Sequence, residues 1–431
     1  MKIAPRVLVD GFNLALPKGT GVATYGRVLS RTLSSMGFKV NVLYGLNIPR
    51  RLNENLQEVM FFNQLAADMR YRRPRLYSPG WWRQTAFNFL GHKAELIRFN
   101  NCVEARSFEE HMPTFDCIFN IPFIFQMAAG FFKKTGCFLK IKNTMNQDIV
   151  HWTYPLPIKV IGAKNIYTIH DIVPLKMPYT TLDDKIYYYN LMNSLANEAD
   201  YVCTVSEYSK DTIVDFFPKF QNKIFNTYQS TPFTLSDISY ERTEREINKL
   251  FGISDGGYFI YFGQLEPKKN IGRLLEAFLL SETNRPLVLV GSNGWKEEEE
   301  LRFLEQGIAM GVIIHIPYVP VKLLRSLIQH ARAVLFPSIF EGFGLPILEA
   351  FNLKTAVLTS NTGALKEVAS DAALLVDPYD VNAIKAGIER LDKDDFLCNS
   401  LKDKGKERAV YFDEENYKKR LLEFYSIVLE G

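Results

Sequence analysis

Short apolar segments alternate with amphipathic stretches along the second half of the chain. Six segments rich in β-branched and aromatic residues are predicted strands: Tyr258–Phe262, Pro286–Val290, Val312–Ile316, Ala333–Phe336, Ala356–Thr359 and Ala373–Val376. Helical patterns lie between them, at Ile271–Leu280, Glu297–Ala309, Val321–His330 and Pro346–Phe351. Continuous apolar strands that alternate with helices are typical of a parallel sheet covered on both faces. This half therefore predicts a doubly wound α/β domain.

The first half begins with the same pattern. Predicted strands lie at Val7–Asp10, Lys39–Tyr44, Ile166–Ile169 and Tyr201–Val205, with a helix from about Val22 to Met36. The last two strands end in His170-Asp171 and Ser206, and polar residues at strand ends line ligand sites in parallel sheets. Between 46 and 148 the pattern is blurred, which predicts an insertion with helices.

Length and composition bound the architecture. With 431 residues the chain is too long for one ordinary core, so we expect an N-terminal domain at 1–230, a polar linker at 231–246 and a C-terminal domain at 247–412. A final helix at about 413–431 is expected to pack back on the first domain. Hydrophobic residues make up 47% and charged residues 23%, which is typical of a folded protein and excludes disorder.

The net charge, the cysteines and the lack of long apolar segments argue against several other classes of protein. The formal net charge of +3 is too small for a general nucleic-acid binder. The five cysteines contain no Cys-x-x-Cys pair, so we expect neither a zinc site nor a disulfide framework. No signal sequence and no apolar run of about 20 residues is apparent, so we expect a cytoplasmic protein.

The strongest site motif is the segment Phe336–Glu349, FPSIFEGFGLPILE. A buried strand is followed by a glycine-containing loop and then by a helix with Pro346 in its first turn. Glycines let the backbone approach a ligand, and a helix N-terminus attracts anions. Glu341 and Glu349 can then face one cleft, although Glu349 could instead only complement the helix dipole and Glu341 could be a solvated loop residue.

Two other strand-end loops are candidates for binding phosphate. In Tyr261–Asn270, Gly263 opens the strand end, and Lys268 and Lys269 bring two cations to the next helix; a solvated lysine pair is the alternative. In the loop after the first strand, Gly19 and Gly21 form only a partial Gly-x-Gly-x-x-Gly motif, and the loop could be a simple turn. His170 could line the cleft or could be a core histidine, and no cluster of metal ligands is visible.

Taken in order, these segments resemble the retaining glycosyltransferases of family 4. The resemblance covers essentially the whole second half of the chain, and its most specific part is the Glu-x7-Glu motif from Glu341 to Glu349. It also includes Leu289–Trp295, Thr359–Glu367 and Ala373–Pro378. The first half agrees more loosely, through Gly19-Thr-Gly21, Tyr167–Asp171 and Ala199–Glu207.

The resemblance implies a GT-B fold, with two Rossmann-like domains facing across a cleft and no essential metal or other cofactor. It implies that Glu349 holds the ribose hydroxyls of a nucleotide sugar, that Glu341 stabilises the developing positive charge, and that Lys269 binds the diphosphate. His170 would reach the sugar from the first domain. The other donor-binding residues that it implies are Gly19, Gly21, Gly263, Lys268, Gly342, Phe343, Gly344 and Leu345.

Two residues depart from the family pattern. Gln264 stands where the family often has arginine, and Lys268 could supply the missing charge. Lys354 stands where a glycine is usual. Retention needs either a carboxylate nucleophile or front-face attack, and since no nucleophile is evident in the first domain, front-face attack is favoured.

Alternatives from other classes are a nucleotide-sugar epimerase of the same fold and a non-catalytic sugar-nucleotide-binding subunit. For the transferase, the first hypothesis is mannose from GDP-mannose, moved to a saccharide or lipid-linked saccharide of a surface polysaccharide. The segments Asp68–Arg83 and Ile121–Lys142 mix aromatic or apolar with basic residues. Such a mixture suits an anionic membrane surface, although these segments could equally pack on their own domain.

Overall fold

The computed structural model describes residues 4–15, 21–49, 52–65, 86–108, 112–232, 239–292 and 303–431. The chain forms two α/β domains, each built on its own largely parallel sheet. In the part of the chain that is described, no helix combines the length and the apolar character needed to span a bilayer.

The first domain is built on an eight-stranded sheet with the order β10-β9-β8-β6-β1-β2-β4-β3. All its neighbours run parallel except β3, which is antiparallel to β4. The strands of this domain are β1 (Arg6–Asp10), β2 (Lys39–Tyr44), β3 (Glu95–Ile97), β4 (Cys117–Asn120), β5 (Leu139–Lys142), β6 (Ile149–Trp152), β7 (Ile158–Ile161), β8 (Lys164–Thr168), β9 (Tyr201–Thr204) and β10 (Ile224–Asn226), with β5 and β7 forming a separate small sheet. The helices are α1 (Gly21–Ser35), α2 (Glu54–Leu65), α3 (Ile124–Thr135), α4 (Val173–Lys176), α5 (Lys185–Glu198) and α6 (Glu207–Phe216).

The second domain has a six-stranded parallel sheet with the order β13-β12-β11-β14-β15-β16. Its strands are β11 (Phe259–Phe262), β12 (Leu287–Val290), β13 (Ile313–Ile316), β14 (Ala333–Phe336), β15 (Ala356–Ser360) and β16 (Leu374–Val376), so all six predicted strands are confirmed. The helices of this domain are α7 (Tyr240–Phe251), α8 (Ile271–Leu280), α9 (Leu304–Ala309), α10 (Val321–Gln329), α11 (Leu345–Asn352), α12 (Gly363–Ala369), α13 (Val381–Lys393) and α14 (Asp395–Tyr411), and a final helix, α15 (Glu414–Glu430), follows them.

Both sheets reverse their strand order at one point, and such a switch point leaves a crevice at the carboxyl ends of the strands. In the second sheet the reversal lies between β11 and β14, the two strands that precede the lysine pair and the Glu341 loop. In the first sheet it lies between β1 and β6. The strand order thus brings together loops that are far apart in sequence.

Two boundary predictions need correction. The predicted insertion at 46–148 contains β4, which pairs in parallel with β2 as part of the main sheet. This strand of four residues is too short for the sequence to show a clear strand pattern. Its last residue, Asn120, fixes it beside the end of β2, because its side-chain amide accepts a hydrogen bond from the N–H of Leu46 and donates one to the carbonyl oxygen of Leu46. The second part of the predicted linker 231–246 is helical, because α7 begins at Tyr240 with Ser239 as its N-cap.

The last helix returns to the first domain. On α15, the Tyr425 hydroxyl lies 2.6 Å from Nδ1 of His151, a residue of β6. At the start of the same helix, Glu414 pairs with Arg31 of α1, with 2.9 Å between Oε2 and Nη2. The C-terminal end of the chain therefore packs on the first domain.

Candidate active site

Asn270 holds together the loops that follow β11, β14 and β16. Its backbone has a left-handed conformation, with φ of 63°, at the end of a single 3-10 turn at Pro267–Lys269. Asparagine tolerates this conformation better than most residues. Its buried amide donates hydrogen bonds to the carbonyl oxygens of Pro337 (3.0 Å) and Pro378 (2.6 Å). The lysine pair is thereby fixed against the loop that carries Glu341.

Lys269 and Glu341 form an ion pair in this crevice. The Lys269 ammonium donates a hydrogen bond to Oε1 of Glu341, and the two side chains are only 15% and 12% exposed. The same ammonium lies 5.1 Å from the centroid of the Phe336 ring. A cation and a carboxylate that are 72 residues apart in sequence are thus placed side by side at the switch point of the second sheet.

The side chain of Lys268 does not join this ion pair. Its ammonium lies 3.9 Å from Oε2 of Glu266, and its side chain reaches a cavity that is otherwise lined by the first domain, including His170. Burial lowers the pKa of Lys268, but the surrounding carboxylates, Asp171 first among them, outweigh burial and raise the pKa above its usual value. Lys268 is therefore charged, and its charge is already compensated.

Glu349 is a buried carboxyl in the second turn of α11. The helix begins after Gly344, whose φ of 104° favours glycine, and carries Pro346 in its first turn. The side chain of Glu349 is 9% exposed, and burial raises its pKa to about 7, against the opposing influence of Arg325 and Lys269. The carboxyl can therefore gain or lose a proton near neutral pH.

The two domains touch directly at Gly342. The hydroxyl groups of Ser206 and Ser209 donate to its carbonyl oxygen, at 2.7 and 3.0 Å. A Cβ atom at Gly342 would lie 2.4 Å from the carbonyl oxygen of His170, too close for any real side chain. The glycine is therefore required by contact with the first domain, in addition to any role in approaching a ligand.

A second contact between the domains is made by Glu367 of α12. Its two carboxylate oxygens accept hydrogen bonds from the backbone N–H groups of Glu207 and Tyr208, both at 2.9 Å. These N–H groups belong to the first turn of α6, where a negative charge stabilises a helix. The segment Thr359–Glu367 thus contributes a cap across the domain boundary.

His170 is held in one orientation. Its Nε2–H donates to the carbonyl oxygen of Thr153 at 2.9 Å, and its ring packs edge-on against Tyr25 with centroids 4.9 Å apart. Burial lowers its pKa below the usual value, so the ring is neutral at pH 7. Since Nε2 carries the proton, Nδ1 keeps its lone pair and can accept a hydrogen bond.

Asp10, at the end of β1, is a buried carboxyl near His170 that was not singled out from the sequence. Burial raises its pKa to about 6, and the N–H groups of Thr153 and Phe12 donate to its carboxylate. Thr153 therefore links Asp10 to His170 through its N–H and its carbonyl oxygen. The signal in the sequence was the polar residue that closes an apolar strand.

Three further residues predicted to bind the nucleotide sugar differ in where the structure places them. Gly19 lies outside the described residues. Gly21 begins α1, and a Cβ atom there would lie 3.8 Å from the Leu345 side chain, so the first turns of α1 and α11 face each other. The Phe343 ring is 3% exposed and packs against Phe412, which leaves only its backbone for a ligand.

Known proteins share this architecture. The model of the family "Glycosyl transferases group 1" matches residues 243–408. The O-antigen chain mannosyltransferase B of Escherichia coli is 33% identical over 272 residues, which are 61% of this chain and 70% of that protein. The chain belongs to the group 1 glycosyltransferases. This glycosyltransferase is also 26% identical over 290 residues to the serotype-specific mannosyltransferase WbdA of Escherichia coli, a match that covers 65% of this chain and 35% of WbdA.

The fold of this glycosyltransferase is GT-B. Its superposition on the Anabaena protein HepE, solved in complex with UDP and glucose, has a TM-score of 0.66 and covers 98% of this chain and 99% of HepE, at 14% identity. The prediction of two Rossmann-like domains facing across a cleft is thereby confirmed. Among the described residues, no group of three or more His, Cys, Asp or Glu side chains is placed to hold a metal ion.

Proposed function

We propose that this glycosyltransferase transfers mannose from GDP-mannose to a saccharide or lipid-linked saccharide acceptor, in the synthesis of a surface polysaccharide. The similarity to two proteins named as mannosyltransferases supports the choice of sugar. The name of the first, an O-antigen chain enzyme, supports the choice of pathway.

The single observation that carries the mechanism is the pairing of Lys269 with Glu341 at the switch point of the second sheet. In the proposed reaction Lys269 stabilises the negative charge that grows on the leaving diphosphate, and the N–H groups at the start of α11 assist it. Glu341 stabilises the positive charge that develops on the transferred sugar. Glu349, buried one turn into α11, accepts hydrogen bonds from the ribose hydroxyls.

We propose that the anomeric configuration is retained by departure and attack on one face of the sugar. The bond between the anomeric carbon and the diphosphate oxygen breaks, and the acceptor oxygen bonds to that carbon from the same side. The acceptor proton passes to the leaving diphosphate. Neutral His170 contributes by accepting a hydrogen bond from a sugar hydroxyl at Nδ1, which orients the ring.

In this proposal the enzyme needs no metal, because lysine and helix N-termini carry the diphosphate charge. Activity should persist in excess EDTA. A complete loss of activity that Mg²⁺ or Mn²⁺ restores would contradict this part of the proposal.

The proposed reaction is tested by supplying the purified protein with a panel of nucleotide sugars and mannose-containing acceptors. We expect transfer from GDP-mannose, only when acceptor is present, with an α-linked product by NMR. A new nucleotide sugar formed without acceptor would instead indicate an epimerase. Nucleotide binding without any turnover would indicate a non-catalytic subunit.

We further propose that the enzyme is cytoplasmic and peripheral on the inner face of the membrane. The predicted surface Asp68–Arg83 lies outside the described residues, and the apolar residues of α3 in Ile121–Lys142 are largely buried in the core. Support comes from an exposed apolar group, Phe87, Phe89 and Leu90, which are 43%, 45% and 65% exposed. This group lies next to α3, because the Phe89 ring packs on Phe131 of that helix. Sedimentation with phosphatidylglycerol vesicles, but not with phosphatidylcholine vesicles, is expected; no binding to either would contradict the proposal.

A further inference from the structure

A cavity of about 200 Å³ lies between the domains, next to the crevice that holds Lys269 and Glu341. Of the eleven described residues that line it, ten belong to the first domain, among them His170, Asp171 and Asp183. The one described lining residue from the second domain is Lys268. The cavity thus lies beside His170 and is lined mainly by the first domain.

The charge in this cavity is unfavourable for a diphosphate. Asp171 and Asp183 line it, Glu266 lies beside Lys268, and one lysine cannot balance three carboxylates. Lys269 does not line this cavity, because its ammonium is directed to Glu341 in the neighbouring crevice. A second anionic group would therefore be repelled, whereas hydroxyl groups of an uncharged molecule can donate to carboxylates.

Several polar groups of the cavity have hydrogen-bonding capacity to spare. The Thr181 hydroxyl is buried and has no hydrogen-bond partner in the described part of the chain. Asp171 uses Oδ1 to accept from the Val173 N–H, and no described residue bonds the Asp183 carboxylate. The Lys268 ammonium has no acceptor within hydrogen-bond distance among the described residues, its nearest carboxylate oxygen lying at 3.9 Å. Of these groups, the Thr181 hydroxyl is buried, Asp171 and Lys268 are partly buried and Asp183 is exposed. A buried hydroxyl without a partner is costly, which favours a ligand that brings hydroxyl groups to it.

We propose that this cavity binds the terminal sugar of an uncharged acceptor saccharide, with Asp171 and Asp183 accepting hydrogen bonds from its hydroxyls and Lys268 donating one from the opposite domain. This assignment rests on the proposed transferase function. It gives the two adjacent lysines different tasks: Lys269 serves the donor, and Lys268 serves the acceptor. It also means that the acceptor subsite is complete only when the second domain is in place.

The test measures acceptor and donor binding separately. Saturation-transfer NMR reports the Kd of neutral disaccharides of mannose, glucose, galactose and N-acetylglucosamine in the presence of GDP, and calorimetry reports the Kd of GDP. For Asp183→Asn and Lys268→Met we expect the Kd of the best disaccharide to rise about ten-fold or more, because each variant loses a charge-assisted hydrogen bond to the sugar. The Kd of GDP should change by less than about two-fold in both variants. The same disaccharide carrying a phosphate monoester should bind the unaltered protein more weakly.

Asp184→Asn is the matched control. Asp184 is the neighbouring acidic residue, but it caps α5 and pairs with Lys133 outside the cavity, and asparagine is an equally good cap. This variant should leave both Kd values unchanged. The proposal is wrong if no neutral disaccharide binds while GDP does, if Asp183→Asn leaves disaccharide binding unchanged, or if Lys268→Met weakens GDP rather than the sugar. Failure of the protein to bind any nucleotide would instead count against the proposed function itself.

Discussion

Replacing Glu349 with glutamine should make the protein more stable at alkaline pH and leave it unchanged at acidic pH. Burial raises the pKa of Glu349 from 4.5 to about 7. The folded protein therefore holds the proton more tightly than the unfolded chain does, so the folded state loses stability as the pH rises from 4.5 through about 7. Glutamine has nearly the shape of the protonated carboxyl and never ionises, so this loss should disappear in the variant.

The magnitude follows from the size of that pKa change. One pKa unit corresponds to about 1.4 kcal/mol at 25 °C, so ionising Glu349 in the folded protein costs about 3 kcal/mol once the pH is well above 7. The difference in free energy of unfolding between Glu349→Gln and the unaltered protein should therefore be close to zero near pH 4.5 and approach about 3 kcal/mol near pH 8.5. Comparing the two proteins cancels the contributions of other groups whose pKa values burial shifts, such as Asp10 and His170.

The assay is urea unfolding, followed by fluorescence across this pH range. Glu282→Gln serves as the control, since this residue is 76% exposed and its weak contact with Lys393 should contribute little. A difference between Glu349→Gln and the unaltered protein that does not change with pH would refute the reasoning. It would mean that Glu349 keeps its ordinary pKa in the folded protein.

The same carboxyl should couple nucleotide binding to proton release. If ribose hydroxyls donate to ionised Glu349, bound GDP lowers its pKa, and a proton leaves on binding at pH values below about 7. Calorimetry in buffers of different ionisation enthalpy measures that proton. Its absence in the unaltered protein would argue against a ribose contact, and Glu349→Gln should release none.

Three further predictions concern the crevice. Glu341→Ala should abolish transfer while the protein still folds, as judged by circular dichroism and turnover at saturating donor; near-normal turnover would remove Glu341 from the reaction. Lys269→Ala should lower kcat/KM about ten-fold or more, because a charge-assisted contact to the diphosphate is lost, whereas Gln264→Arg should leave kcat/KM unchanged or raise it slightly. An unchanged kcat/KM in Lys269→Ala would mean that the diphosphate binds elsewhere. Gly342→Ala should reduce kcat at least about ten-fold, because the added Cβ atom forces the domains apart. Gly26→Ala is the control, since a Cβ atom there has ordinary contacts and kcat should not fall. Equal kcat values for the two variants would show that the close approach of the domains at Gly342 is dispensable.

The architecture of the second domain could be predicted almost entirely from the sequence. Its strands are buried on both faces, so each appears as a continuous apolar run, and the candidate site residues follow at strand ends. The motif from Glu341 to Glu349 and the lysine pair were therefore found without a structure. Strands that are short or that end in polar residues, such as Cys117–Asn120, were missed because local pattern alone does not show their pairing.

The contacts between the domains were decided only by the tertiary structure. Ser206 and Gly342 are 136 residues apart, and Glu367 caps a helix that begins 160 residues earlier. Nothing in the local sequence at either end specifies the partner, because the partner depends on how two separately folded sheets face each other. For the same reason Lys268 and Lys269, which are adjacent and chemically identical, have different surroundings. Lys268 reaches a cavity of the first domain, whereas Lys269 pairs with Glu341 of the second domain.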